Sequence, residues 1–160
     1  MSDKALVDIN ELLAEEERLT LESLGLADGV AIGQVLLAHA MRQGKPVAIE
    51  VRRVGRVVFR AALPGTTTDN DAWIAGKAAV VERFGHSSWY VKQKHLAAGT
   101  TFEAATGLAK PAYAAAGGGY PLAVRGTGVI GIALVSGLPE EEDHALIVGA
   151  LSAYVAGERA

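Results

Sequence analysis

The chain has 160 residues, half of them apolar and 21% charged, with a formal net charge of −3. That length and balance fit one globular domain with a real core and exclude a disordered chain. The acidic balance argues against a nucleic-acid partner, and the absence of cysteine excludes a disulfide framework or a thiolate metal site.

The opening, MSDKALVDINELLAEEE, lacks the basic-then-apolar order of a secretory signal. The longest apolar run, VIGIALV, is far too short to span a membrane. A soluble cytoplasmic protein with no membrane partner is expected. Ile9, Leu12, Leu13 and Glu16 follow helical spacing, and EEER at 15–18 reads as a solvated face. After LGLADG a second helix is expected over 30–41, stopped by Gly44 and Pro46. Residues 1–28 then form a helical extension to a single domain spanning 1–160.

The period next changes to two. VAIEV at 47–51 and RVVFRA at 56–61 predict a β-hairpin turning at RRVG. Val47, Ile49 and Val51 share its core face; Val57, Phe59 and Ala61 share a face on the second strand. The other face carries long charged stems. A helix follows over Trp73 to Phe84, with Thr68 or Asp69 as its N-cap and Gly85 as its stop. Ser87 or Ser88 caps a second helix, and Thr100 or Thr101 a short third one.

AYAAA, YPLAVR and VIGIALV then predict three antiparallel strands, the last central because both its faces are apolar. SGLPEEEDHALIVGALSAYV closes the chain as a helix whose buried stripe is Ile147, Ala150, Leu151, Tyr154 and Val155. The fold class is α/β of the α+β kind, a five-stranded antiparallel sheet flanked by helices.

Four motifs invite chemistry. GTGVIG at 126–131 matches a dinucleotide fingerprint, but a strand and not a helix follows it, which removes the cofactor site. EEED at 140–143 opens a helix, where carboxylates oppose the dipole at about 0.3–1 kcal/mol each without any metal. Gly117, Gly118 and Gly119 form a strand-to-strand corner, with an anion nest as the competing possibility. In the basic hairpin, Arg52, Arg56 and Arg60 are expected to pair with carboxylates of their own surface or of a neighbouring subunit.

FGHSS, with its neighbour Trp89, is the remaining cluster. Adjacent positions of a helix do not face one another, and no elbow or zinc spacing surrounds His86, Ser87 and Ser88. The stretch fits a joint, Gly85 ending one helix and a serine capping the next, while His86 at the corner can still point into a cleft.

RFGHSS, the GGG-Y-P corner and VSGLPEEEDH together resemble the stand-alone branch of the heme-degrading-domain (HbpS-like) family, over most of the chain from the first strand onward. The resemblance implies a profilin-like fold and a homo-oligomer, a dimer or an assembly of dimers. Members of the wider family bind and degrade haem, are fused to cobalamin-related enzymes or accompany glycolate-utilisation proteins. No axial-ligand motif transfers by position. Haem needs an axial donor, an apolar slot and cations for its propionates. Here His86 is the candidate donor, with Trp89, Tyr90 and Phe84 as slot walls and Arg52 or Arg56 for the propionates. The alternatives are a non-enzymatic oligomeric interaction module and a small-molecule or anion sensor using the glycine corner.

Overall fold

The computed structural model describes residues 7–160. The elements run α1 (Ile9–Arg18), α2 (Leu26–Arg42), β1 (Ala48–Arg53), β2 (Arg56–Ala62), α3 (Thr68–Phe84), α4 (Ser88–Ala97), α5 (Phe102–Thr106), β3 (Gly119–Val124), β4 (Gly128–Ser136) and α6 (Glu140–Val155). Residues 1–6 of the expected helical extension lie outside the described residues. The helix bounds follow local capping. α2 begins at Leu26, four residues before the sequence pattern suggests, because the Asp28 carboxylate accepts the Gly25 N–H at 2.7 Å. Thr67, one residue before the expected caps, closes α3 by accepting from Asp69 N, while Asn70 accepts the Thr67 N–H.

The sheet has four strands in the order β2-β1-β4-β3, every neighbouring pair antiparallel. The expected fifth strand, AYAAA, does not form. Two facts account for it. The outer edge of β3 is already taken by Leu21, which donates its N–H to Ala123 O and accepts from Arg125 N. Residues 112–116 instead cross α3, where Ala114 N donates to Gly76 O and a Cβ at Gly76 would lie 2.7 Å from Pro111 O. The backbone bonds this stretch makes go to Ala109 O and Gly76 O or come from the Ser88 hydroxyl, not from a ladder.

β4 is central and apolar on both faces, as its sequence predicts. Val135 and Ala133 align with Ile49 and Val51 toward α2 and α6; Leu134 and Ile132 face α3 with Ala48. The GTG stretch is a turn leading into this strand, so a strand and not a helix follows the G-x-G-x-x-G string. A bulge between Val51 and Arg52 breaks the alternation of β2: Phe59 pairs with Val51 and Val57 with Arg52, which puts these two on opposite faces. Both Val58 and Phe59 consequently pack toward α2, whose Gly29 and Gly33 have no Cβ to obstruct them. On α6, Val155 is exposed and Leu146 takes its place in the buried stripe.

A second apolar cluster lies beyond the sheet. It joins Leu12 with Val80, Trp89, Tyr90, Val91, Phe102 and Ala115, and Ile9, Leu13 and Phe84 border it.

Candidate functional site

The joint at FGHSS is built as its residue types require. Gly85 takes the left-handed conformation (φ 71°) and ends α3, and the Ser87 hydroxyl accepts the Tyr90 N–H to start α4. The two serines do different work. Ser88, wholly buried, donates to Ala116 O and accepts the Gly119 N–H at 2.9 Å, so it pins the glycine corner to α4.

His86 is held from an unexpected direction. Its Nδ1–H donates to Glu16 Oε2 at 2.7 Å, and the Ser87 backbone N–H donates to Glu16 Oε1 at 2.8 Å. The adjacent Glu15 accepts from His144 Nε2 at 2.9 Å. Two consecutive carboxylates of α1 thus occupy two imidazoles, one on the α3–α4 joint and one on α6. EEER at 15–18 is therefore no uniform solvated face: Glu15 and Glu16 are largely covered while Glu17 and Arg18 are exposed.

Aromatic rings surround these imidazoles. Ring centroids lie 4.7 Å apart for His86 and Tyr90, 6.4 Å for His144 and Trp89, and 5.7 Å for His144 and Tyr120. The Tyr120 hydroxyl and His144 Nδ1 are buried with no hydrogen-bond partner among the described residues. Burial, and then the charges of Glu15 and Glu16, hold the Tyr120 phenol above its ordinary pKa.

The glycine corner meets a second polar pair. Lys77 Nζ donates to Asp143 Oδ2 at 3.1 Å and to Val135 O at 3.0 Å, and Asp143 Oδ1 accepts the Leu138 N–H. A Cβ on Gly118 would stand 2.6 Å from this ammonium and one on Gly117 2.1 Å from Glu140 O, so only glycine fits at either place. Burial is the main influence on both charged groups, lowering the Lys77 pKa and raising that of Asp143 against their mutual attraction. EEED thus carries ion pairs as well as its dipole role, Asp143 to Lys77 and Glu140 to Lys92.

Arg52 and Arg56 are not brought to this place. Arg52 donates to Glu50 at 2.6 Å and lies 3.7 Å from Glu82, on the α3 face of the sheet. Arg56 pairs in the ladder with Arg53 on the other face and is exposed. The hairpin arginines do pair with their own surface, Arg60 reaching Asp71 at 2.6 Å. Of the residues singled out in the sequence, the fold sets His86 against Tyr90 and Trp89 against His144, caps α4 with Ser87, bonds Ser88 to Gly119, and packs Gly117 and Gly118 on Glu140 and Lys77. Glu15, Glu16 and Lys77 complete these places without any local motif to announce them, whereas Tyr120 and His144 stand in the GGG-Y-P and VSGLPEEEDH stretches without being singled out there.

A family model described as "Haem degrading protein HbpS-like" matches residues 24–152. The chain belongs to the HbpS-like family. A UPF0303 protein of Streptomyces avermitilis is 50% identical over 147 residues, 92% of this chain and 90% of the relative. One from Burkholderia thailandensis is 41% identical over 149 residues, 93% of this chain and 90% of the other. The crystal structure of the Ybr137w protein superposes with a TM-score of 0.86 at 31% identity, covering 94% of this chain and 88% of that one. The PduOC:heme complex superposes at 0.68 with 18% identity, covering 82% and 94%, and shows the shared fold alone. The HbpS-like match contains His86, Tyr120 and His144, whereas α1 with its two glutamates lies before it. No helix among the described residues is long and apolar enough to cross a membrane.

Proposed function

We propose that the chain is a haem-binding member of its family and takes haem on the face shared by α4, α6 and β3, with His86 as axial donor. The observation that carries this is the grouping of two imidazoles with aromatic walls: His86 against Tyr90, and His144 against Trp89 and Tyr120. Haem would supply an iron that an imidazole nitrogen such as that of His86 could ligate. The rest of the donor set fits the same group, because His144 Nε2 and the Ser87 N–H already bind carboxylates and haem carries two. Arg52 and Arg56, on opposite faces of the sheet, are left out of this proposal because Arg52 is already paired with Glu50 and Arg56 is an exposed hairpin residue. The family's description as haem-degrading, and a structural neighbour that is a heme complex, support the choice of ligand.

Hemin titration followed in the Soret region tests the assignment. Wild type is expected to develop a shifted, saturable band that His86→Ala loses. An equal band in the variant removes His86 as the ligand, and no band in wild type removes haem.

A second possibility rests on the hairpin end, where Val54, Val57 and Val129 are exposed. Large exposed apolar side chains there suit a contact between copies in a homo-oligomer. Native mass spectrometry at micromolar concentration tests this, and a strictly monomeric protein counts against it.

A further inference from the structure

We infer that α1 is a displaceable cover whose Glu15 and Glu16 stand in for the two carboxylates of a ligand with an apolar body, bound by His144 Nε2 and the Ser87 N–H and freeing His86 when it leaves. This rests on the proposed haem site in its location, and adds how that site is closed and what opens it.

The first support is chemical. α1 presents to the core two adjacent carboxylates and an apolar flank. The carboxylates take Nε2 of His144, Nδ1 of His86 and the N–H at the start of α4. The flank, Ile9, Leu12 and Leu13, shares a cluster with Trp89 and Tyr90. A helix N-terminus favours an anion, and donors of this kind are costly to leave unmet when buried. Whatever replaces α1 must therefore bring carboxylates of its own and an apolar surface between or beside them.

The second support is the incomplete match between α1 and the surface beneath it. Tyr120 and His144 are both more than nine-tenths buried, yet the phenol oxygen and His144 Nδ1 have no partner among the described residues. A face shaped only to receive α1 has no use for His144 Nδ1, and meets the Tyr120 phenol with no more than a loose approach of Glu15. The Tyr120 ring lies 5.7 Å from that of His144, whose Nε2 holds Glu15, so both groups sit beside the place where α1 docks. A ligand richer in polar atoms than two glutamates can meet them.

The third support is the light attachment of α1. It has ten residues, of which Leu12 alone is fully buried. An isolated helix of that length is marginal in water, so its order depends on the contacts it makes here. Behind it, Leu19, Leu21 and Leu24 belong to the main core, and Leu21 is bonded to β3 on both sides. Release of α1 stops at this anchor and leaves the sheet untouched. The matched family region begins after α1, while His86, Tyr120 and His144 lie within it.

Hydrogen exchange on the full chain tests the cover directly. Hemin and glutarate serve as separate probes, and protoporphyrin IX dimethyl ester as the carboxylate-free control. The expected result is that hemin, and glutarate at higher concentration, accelerate exchange over residues 9–18 while α2 and α6 stay protected. The diester leaves α1 protected. Glu15→Gln with Glu16→Gln, which weakens the stand-ins, is expected to bind hemin roughly ten-fold or more tightly, the scale of one charged hydrogen bond. If that double variant does not fold, Glu15→Gln alone provides the comparison. Hemin bound with α1 still protected overturns the cover and leaves the haem site standing. Glutarate releasing α1 while hemin fails to bind does the reverse. Neither probe altering α1, in wild type or variant, overturns the inference.

Discussion

Lys77 and Asp143 meet at 3.1 Å with side-chain exposures of only 3% and 2%, joining α3 to the first turn of α6 behind the glycine corner. Removing one member strands the other in a place that water does not reach. Lys77→Met is expected to cost about 3–5 kcal/mol of stability. Adding Asp143→Asn, which keeps an acceptor for Leu138 N–H, should restore more than half of that loss. Urea denaturation of the three proteins measures both effects; simple additivity in the double variant contradicts a coupled pair.

Gly118 combines a left-handed φ of 122° with a missing side chain that would reach 2.3 Å from Val135 O. Gly118→Ala should therefore lose about 3 kcal/mol or more, from strain and overpacking together. Gly149, on the exposed side of α6, has nothing within 4 Å of an added Cβ. Gly149→Ala should gain about 0.5–1 kcal/mol through helix propensity. Thermal midpoints moving the same way in both would refute the distinction.

Tyr120 makes an alkaline signature. Its folded pKa is raised by burial and by Glu15 and Glu16, while in the unfolded chain it titrates near the ordinary value of about 10. The unfolded state then loses a proton that the native state keeps, so stability falls as pH rises past about 10. Tyr120→Phe should be close to neutral at pH 7, because the hydroxyl makes no well-formed hydrogen bond beyond a loose approach to Glu15, and should flatten the alkaline decline. Stability curves of the two proteins from pH 7 to 11 (roughly the span of one phenol titration) check it; parallel curves go against it.

Val54 turns the β1–β2 hairpin with φ 48°, followed by Gly55 at 75°. A two-residue turn with both angles positive suits Asn-Gly, and a β-branched residue there is strained. Val54→Asn is expected to raise stability by about 1 kcal/mol. No gain in the unfolding midpoint would show that the exposed valine is doing something for which its strain is tolerated, such as meeting another copy.

Much of the architecture was legible along the chain. The stop at Gly85, the cap at Ser87, the turn before β4 and the two-sided apolar character of that strand are all local patterns, and each was realised. The fifth strand was misread for a reason no local pattern contains. AYAAA has a strand-compatible composition, but the edge it would join is held by Leu21, roughly a hundred residues earlier in sequence.

The site divides in the same way. Periodicity and capping residues are enough to make His86 the corner of a helix–helix joint, since those preferences act over a few residues. Which partner reaches that corner was settled only when the chain closed on itself. Glu16 to His86 spans 70 positions, Glu15 to His144 spans 129, and Lys77 to Asp143 spans 66. In sequence, a glutamate on a short charged helix looks like any other solvated side chain. Its burial against an imidazole depends on where the whole helix comes to rest, and that is a property of packing across the molecule.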